Sequence, residues 1–223
     1  MGVPALIVAA GSGQRLGAGG PKALVPLDGR PLYAWSVDAF REASEIDRVF
    51  VAVPPGHADR FTEPGIVRVE GGETRSHSVA RGLEAILADG PAELVVVHDA
   101  ARPLVSPKLI NAAVIGLEGD PELHALIAAA PVTDTVKRLG SDGVVVETLD
   151  RSELVAVQTP QIFRVEILRR AIESGDLAGA TDDASLIEAV GGSVGVIETG
   201  SGNIKVTHPG DVELASYLRS QQR

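Results

Sequence analysis

Apolar runs and amphipathic stretches alternate along most of this 223-residue chain. The short runs are rich in Val, Ile, Leu and Ala and lack polar alternation, which predicts strands covered on both faces. The longer stretches repeat apolar residues every three or four positions, as at Val79, Leu83 and Ile86, which predicts helices. The predicted strands are Ala5–Ala9, Val49–Val53, Val67–Glu70, Leu94–Val97, His124–Ala130, Leu154–Gln158 and Ser193–Ile197. The predicted helices are Pro31–Ala43, Thr74–Leu87, Pro107–Leu117, Val165–Glu173, Asp183–Val190 and Pro209–Leu218.

This alternation predicts an α/β fold with a doubly wound, mostly parallel sheet. The hydrophobic content of 44% over 223 residues is enough for one sizeable core. Because no repeat, low-complexity stretch or linker interrupts the chain, we expect residues 1–223 to form a single domain.

Residues 131–153 break the rhythm of strands and helices. Two short polar-alternating pieces, Thr135–Arg138 and Val144–Leu149, flank the turn sequence GSDG at residues 140–143. Two such pieces joined by a glycine-containing turn are typical of a β-hairpin. We therefore expect this segment to project from the domain as an arm.

Charge and composition narrow the classes of function. The chain carries 20 basic and 30 acidic residues, a formal charge of −10, whereas a nucleic-acid binder is expected to carry a basic excess. The absence of cysteine excludes disulfides, thiolate metal sites and a cysteine nucleophile. No apolar run reaches the roughly 18 residues of a membrane span, and the N-terminus lacks a signal peptide's pattern. We expect a cytoplasmic protein without a nucleic-acid or membrane partner.

A glycine-rich stretch, LIVAAGSGQRLGAGGPK, follows the first predicted strand at residues 6–22. Its glycines begin at Gly11 with the spacing G-x-G-x-x-x-G, one residue too long for a dinucleotide fingerprint. Lys22 follows a proline and precedes Ala23, which excludes a Walker A loop. The stretch therefore matches neither of the two common phosphate-binding motifs.

The same stretch still suits a polyphosphate. Glycine lets backbone N–H groups approach an anion closely. Arg15 supplies a guanidinium that can bind two phosphate oxygens, and Lys22 supplies a point charge. The alternative is an ordinary surface loop, since glycine-rich turns are common.

Further polar clusters follow other predicted strands, where ligands bind in doubly wound sheets. They are GGETRSHS, HDAARP, PVTDTVK, QTPQ and GNIKVT, and they contribute Arg75, Ser78, Asp99, Arg102 and Lys205. Each has a structural alternative: Asp99 caps a turn, Ser78 bonds only its own helix, and Arg102 faces solvent. Six clusters at one edge of one sheet favour a binding site.

The clusters contain neither a Ser–His–acid spacing nor a nucleophile elbow. His98 ends an apolar strand, which favours a structural role beside Asp99 over that of a general base. Neither an H-x-x-H motif nor a carboxylate cluster marks a dedicated metal site. Glycines, cations and one or two carboxylates suit the binding and rearrangement of phosphates, with Mg²⁺ bridging the phosphates and keeping water ligands.

Seven segments carry a resemblance to a known family. They are VAAGSGQRLG…PKALVPLDGRPL, GGETRSHSV, VVHDAARPLV, AAPVTDTVK, LDRSEL…VQTPQIF, TDDASLIE and GNIKVT, from Leu6 to about Leu218. Together they closely resemble the 2-C-methyl-D-erythritol 4-phosphate cytidylyltransferases of the non-mevalonate isoprenoid pathway. The resemblance implies a Rossmann-like nucleotidyltransferase that joins CTP and methylerythritol phosphate into a CDP-alcohol and releases pyrophosphate. Bifunctional relatives continue into a cyclase domain, so only the transferase activity is implied here.

The resemblance also implies roles for particular residues. The implied catalytic residues are Arg15, Lys22 and Lys205. The implied nucleotide-binding residues are Ala9, Ala10, Gly11, Ser12, Gly13, Gly72, Glu73, Arg75 and Ser78, of which Glu73 departs from the aspartate that some members carry. The implied substrate-binding residues are Asp99, Arg102, Thr135, Arg151 and Thr159. Mg²⁺ or another divalent cation is implied as cofactor, held mainly by CTP phosphates and water. A homodimer is implied as well, because in relatives the arm, about residues 131–153, crosses to a second subunit.

Two alternatives stay open. One is a cytidylyltransferase for another polyol phosphate such as ribitol 5-phosphate, which the fold and the nucleotide loop do not separate. The other is a non-catalytic nucleotide-binding module, which would not need Lys22 and Lys205 to converge on the α-phosphate.

Overall fold

The computed structural model describes residues 2–11, 13, 19–175, 177, 179–180, 182–200 and 202–221. The strands are β1 (Val3–Val8), β2 (Pro26–Leu27), β3 (Arg30–Pro31), β4 (Ile46–Val53), β5 (Ile66–Glu70), β6 (Leu94–Asp99), β7 (Ala125–Pro131), β8 (Lys137–Leu139), β9 (Val145–Thr148), β10 (Val155–Arg164) and β11 (Val194–Glu198). The helices are α1 (Leu32–Glu42), α2 (Arg75–Asp89), α3 (Pro107–Glu118), α4 (Val165–Ser174), α5 (Asp183–Ala189) and α6 (Pro209–Ser220). None of the helices in these ranges combines the length and apolar character that a bilayer crossing requires.

In the described part of the chain, seven strands form the central sheet in the order β11-β7-β10-β6-β1-β4-β5. The pairings in this sheet are parallel except those that β10 makes with β6 and β7. The apolar runs fill its centre, and all six residues of β6 are buried. The predicted doubly wound, mostly parallel sheet is confirmed.

Helices cover both faces of the sheet. One face packs under α1 and α3, with Phe40 and Ile110 in its core. The other face packs under α2, α4 and α5, with Leu83 and Leu168 in its core. Helix α2 begins where the sequence predicts it, because the hydroxyl of Thr74 caps the helix by accepting the N–H of the third residue after it.

The predicted end of the strand before QTPQ is wrong. Strand β10 does not stop at Gln158 but continues to Arg164, so QTPQ lies within the strand. The proline of this motif indicates a strand end because it lacks an N–H for the ladder. An irregular register opposite β7, between Val157 and Gln161, accommodates it instead.

The predicted hairpin is confirmed. Strands β8 and β9 pair antiparallel, and the N–H of Gly140 donates to the carbonyl of Val144 across the turn at 2.8 Å. Every residue of both strands is exposed. The segment therefore projects as an arm.

A second hairpin, β2–β3, is not predicted by the apolar pattern because each strand has only two residues. Asp28 and Gly29 form its turn with φ angles of 49° and 81°. Asp-Gly is a strong signal for a turn with two positive φ angles, so the two turn residues, unlike the apolar pattern, do indicate this hairpin. This hairpin directly follows the 3₁₀ turn Lys22–Leu24.

Candidate active site

An open cavity of about 500 Å³ lies at the carboxyl ends of β1, β5 and β6. In the sheet order, β4 and β5 lie on one side of β1 and β6 lies on the other, so the order in which strands are added to the sheet reverses here. Such switch points are the usual ligand sites of doubly wound sheets. Many of the predicted site residues line the cavity: Ala9, Ala10, Gly11, Gly13, Lys22, Gly72, Glu73, Arg75, Ser78, Asp99 and Lys205. Ser12 and Arg15 lie outside the described residues.

One wall of the cavity is built from small residues held close together. A Cβ atom on Gly71 would lie 2.5 Å from the Cβ atom of Ala10, so this approach requires glycine. Ser78 accepts the N–H of Gly72 at 3.0 Å and donates to the carbonyl of Thr74 at 2.9 Å. The hydroxyl of Ser78 thus bonds its own helix and also fixes the Gly71–Gly72 turn. The wall presents backbone groups with little side chain in front of them.

Beside this wall, charged groups alternate in sign from the cavity into the core. Asp99 accepts Nζ of Lys205 at 2.6 Å on one oxygen and Nε of Arg75 at 2.9 Å on the other. Arg75 also donates to Asp183, which is fully buried. The four side chains carry no net charge together, and the Lys205 end is the exposed one, with 41% of its side chain accessible. Arg75 is therefore held between two carboxylates as well as lining the cavity.

The pKa values of the two carboxyl groups shift in opposite directions. Burial tends to raise the pKa of Asp99, but Arg75 and Lys205 together outweigh it and hold that pKa below its usual range. Burial raises the pKa of Asp183, and Arg75 offsets only part of this effect. Asp99 is therefore ionised at neutral pH and is poorly suited to deliver or accept a proton.

His98 is fully buried and neutral. Its Nε2 lies 3.1 Å from the carbonyl of Arg102, which can only accept, so Nε2 carries the proton. Its Nδ1 then accepts the hydroxyl of Thr159 at 3.0 Å, and the oxygen of Thr159 accepts the N–H of Asp99 at 3.0 Å. Burial lowers the pKa of His98 to about 4. This geometry supports the structural role over that of a general base.

Arg102 is 8% exposed, so the alternative that it faces solvent is wrong. It donates to the carbonyl of Asn203 at 2.8 Å, and Asn203 in turn donates to the carbonyl of Thr159 at 2.9 Å. Arg102 belongs to HDAARP, Thr159 to QTPQ and Asn203 to GNIKVT. These bonds therefore hold three of the polar clusters together, including the one that carries Lys205. Arg102 lies behind the cavity and is not among its lining residues.

The predicted anchors for the substrate phosphate do not line the cavity of their own chain. Thr135 and Arg151 are exposed residues of the arm segment, and Arg151 donates to the carbonyl of Thr133 at 2.5 Å. Thr159 is 4% exposed, and its hydroxyl is already bonded to His98 and Asp99. The structure thus brings most of the predicted nucleotide-binding residues together at one cavity of the chain. The roles of these residues and of the three predicted anchors stay predictions.

Residue-by-residue reasoning missed Asp183, Thr74 and Thr207. Thr74 and Thr207 line the cavity, and both stand in motifs recognised in the sequence. Asp183 stands in TDDASLIE, where an acidic pair before an apolar helix indicates a helix cap. Asp182 is that cap, and its neighbour Asp183 is the buried partner of Arg75.

The whole chain resembles known proteins in sequence and in fold. Residues 3–220 match the family described as 2-C-methyl-D-erythritol 4-phosphate cytidylyltransferase (IspD). The chain belongs to this family. A cytidylyltransferase of that name from Synechococcus sp. (strain CC9902) is 46% identical over 225 residues and covers 97% of each chain. Another, from Synechococcus sp. (strain WH7803), is 44% identical over 97% of this chain and 99% of its own. The crystal structure of the enzyme of that name from Thermus thermophilus superposes with a TM-score of 0.80 at 39% identity, over 99% of this chain and 100% of its own.

Proposed function

We propose that this chain transfers the cytidylyl group of CTP to 2-C-methyl-D-erythritol 4-phosphate, giving 4-CDP-2-C-methyl-D-erythritol and pyrophosphate. The supporting observation is that one cavity is lined both by the narrow backbone wall at Gly72 and by two lysines, Lys22 and Lys205. The wall suits a nucleobase, and the two lysines suit a triphosphate beside it.

CTP is the proposed nucleotide because the wall at Ala9, Ala10 and Gly72 leaves room for a small base. Backbone N–H and C=O groups in such a wall can pair with the polar edge of cytosine. Glu73 and Ser78 flank the same wall, and Gly11 and Gly13 lead toward the phosphates.

The reaction needs no general base. The second pKa of a phosphate monoester is about 6, so the attacking phosphate is largely dianionic at pH 7. Its oxygen forms a bond to the α-phosphorus of CTP while the bond to the pyrophosphate oxygen breaks in line. Catalysis then consists of positioning and charge stabilisation. Lys22 and Lys205 supply the charges, with Arg15 as a third cation.

This mechanism agrees with the protonation states beside the cavity. His98 has its proton on Nε2 bonded to a carbonyl, and Asp99 is ionised and paired, so neither is arranged to remove a proton. Asp99 is the proposed ligand for the hydroxyl groups of the alcohol substrate, since its carboxylate borders the cavity. Arg102 supports that side of the site from behind.

A divalent cation, most simply Mg²⁺, is proposed to arrive with CTP. The cavity offers the phosphates two ammonium groups, and its Asp99 carboxylate already binds two cations. This donor set suits phosphate oxygens better than a resident metal ion. The ion would be held by the phosphates and water.

The proposed assembly is a homodimer in which Thr135 and Arg151 reach the partner's site and bind the substrate phosphate. It rests on the exposure of the arm and on the fact that neither residue lines the cavity of its own chain. The proposed location is the cytoplasm, because both substrates are charged metabolites that do not cross membranes unaided. The acidic composition, with a formal charge of −10, supports a protein without a nucleic-acid or membrane partner.

Pyrophosphate release tests the function. We expect turnover with CTP and methylerythritol phosphate and little with ATP, GTP or ribitol 5-phosphate. Equal turnover with a purine triphosphate would contradict the proposed base site, and faster turnover with ribitol 5-phosphate would contradict the proposed substrate. CTP binding without pyrophosphate release from any polyol phosphate would identify a non-catalytic module.

A further inference from the structure

Lys22 is joined directly to the β2–β3 hairpin. It begins a 3₁₀ turn in which the N–H of Val25 donates to the carbonyl of Lys22 at 3.1 Å. The N–H of Leu32, just beyond the hairpin, donates to the carbonyl of Val25 at 3.0 Å. The hairpin and the backbone of Lys22 therefore form one hydrogen-bonded unit.

Lys205 is joined just as directly to α6. Asp211, in the first turn of α6, accepts the N–H groups of Thr207 and His208 at 2.7 and 2.8 Å. These two bonds lower the pKa of Asp211, and the charge of Lys22 lowers it further. The start of α6 is thus coupled to Lys205 through the backbone and to Lys22 through space.

A polar clamp connects the hairpin to the far end of α6. Asp28, at the hairpin turn, accepts Oγ of Ser216 at 2.5 Å and Nε of Arg219 at 2.7 Å. The guanidinium of Arg219 lies 3.8 Å from the ring centroid of Trp35, whose Nε1 donates to the carbonyl of Leu27 at 3.1 Å. We call these contacts the Asp28 clamp. It joins the element that follows Lys22 to the element that follows Lys205.

A small apolar cluster lies beneath the clamp. Three residues are fully buried together in it: Leu27 of the hairpin, Val206 before α6 and Ala215 of α6. Val206 is the neighbour of Lys205, and its N–H donates to the carbonyl of Ala101 at 2.8 Å. The segments that follow Lys22 and Lys205 therefore pack in the same apolar cluster, and the Asp28 clamp lies on the outer side of that cluster.

We infer that Asp28 is a positioning residue for the transfer reaction, because its clamp to α6 sets the separation of Lys22 and Lys205 across the cavity. This inference rests on the proposed function of the two lysines. Two cations that act on one triphosphate must keep a fixed spacing, and misplacement by a fraction of an ångström reduces the rate of the chemical step.

Asp28→Asn tests the inference with little disturbance of the turn. Asparagine tolerates the φ angle of 49° at this position, and its side-chain oxygen can still accept from Ser216, but the charge that binds Arg219 is removed. We expect kcat for pyrophosphate release to fall about tenfold with a much smaller change in KM for CTP.

Asp38→Asn is the matched control. It breaks the 2.6 Å ion pair between Asp38 and Arg30, which ties the same hairpin to α1 instead of α6. We expect this variant to keep kcat within about twofold of wild type, since Arg30 keeps its ion pair with Glu63 and the lost pair does not reach α6. An equal loss of kcat in both variants, or a lower melting temperature of Asp28→Asn with unchanged kcat, would overturn the inference.

A second variant and a second readout keep the test decisive. Arg219→Gln removes the other half of the clamp, and the double variant should lose no more activity than either single one, because the pair acts as a unit. Hydrogen exchange at the Val25 and Val206 amides should quicken in the clamp variants and stay unchanged in Asp38→Asn. If wild-type protein releases no pyrophosphate, the proposed function fails, whereas unchanged exchange in the clamp variants refutes the clamp itself.

Discussion

The side chains around the cavity and those on the arm differ in how far their own chain pairs or buries them. Around the cavity, charged groups find partners within the chain: Asp99 binds Arg75 and Lys205, and Arg75 binds Asp183. On the arm, four aliphatic residues are between 52% and 61% exposed: Leu139, Val144, Val145 and Val146. A lone two-stranded hairpin is marginally stable in water. Among the described residues, the charged groups around the cavity are paired within one chain, whereas the aliphatic side chains of the arm stay exposed in it.

The largest expected effect comes from the cavity lysines. Lys22→Ala and Lys205→Ala should each lower kcat about a hundredfold or more, because each removes a charge placed for the transition state. Melting temperatures should change little by comparison, so pyrophosphate release and thermal unfolding are measured on the same samples. If the melting temperature collapses while the remaining folded enzyme keeps full activity, the lysines are structural.

Mixing two inactive variants tests whether the arm serves the partner's site. Lys22→Ala and Arg151→Ala chains are combined and allowed to exchange. If Arg151 acts across the dimer, each mixed dimer has one doubly damaged and one intact site. Random pairing makes half the dimers mixed, so roughly a quarter of sites regain activity. If subunits exchange and no activity returns, Arg151 acts within its own chain or not at all.

A charge on the arm tests its surface directly. Val146→Asp should shift the protein from dimer to monomer in sedimentation at micromolar concentration, because an ionised carboxylate would be buried against the partner. Ile115→Asp is the control, since Ile115 is 55% exposed on α3 in the body. We expect Ile115→Asp to remain dimeric. A Val146→Asp dimer as tight as wild type would remove the arm from the interface.

The smallest expected effect concerns pH and His98. The pKa of His98 falls from the usual 6.5 to about 4 on folding, so the unfolded chain takes up this proton first. Its contribution to stability is therefore present above pH 6.5 and is lost as the pH falls toward 4. The slope is at most about 1.4 kcal/mol per pH unit. Urea unfolding of wild type and His98→Gln at several pH values measures it, and parallel curves would contradict a buried neutral His98.

The local pattern of the sequence predicts most of the fold. Apolar runs and capping residues such as Thr74 give the strands and helices of the body within a few residues. One local failure is the β2–β3 hairpin, whose two-residue strands are too short for an apolar pattern. The other failure occurs where the pairing partner is distant in the chain. Strand β10 continues through Pro160 because the irregular pairing with β7 accommodates the proline, which a local reading of the motif does not reveal.

For the candidate site too, the sequence predicts the features that depend on short segments and misses those that depend on distant contacts. Glycine loops and strand ends predict most residues of the cavity wall, because these depend on short segments. The charge pairs depend on contacts across the chain: Arg75 and Asp183 are 108 positions apart, and Lys205 and Asp99 are 106 apart. Likewise, the burial of Arg102 follows from Asn203, which is 101 positions away. Such pairings require the folded sheet.

The sharing of Asp99 between two cations has a consequence for how a ligand is received. Separating a buried ion pair ordinarily costs several kcal/mol, because the remaining charge is left without a partner. Here Lys205 can exchange Asp99 for a phosphate oxygen while Arg75, anchored by Asp183, stays bonded to the same carboxylate. When Lys205 turns from Asp99 to an incoming anion, both charges therefore keep a partner of opposite sign.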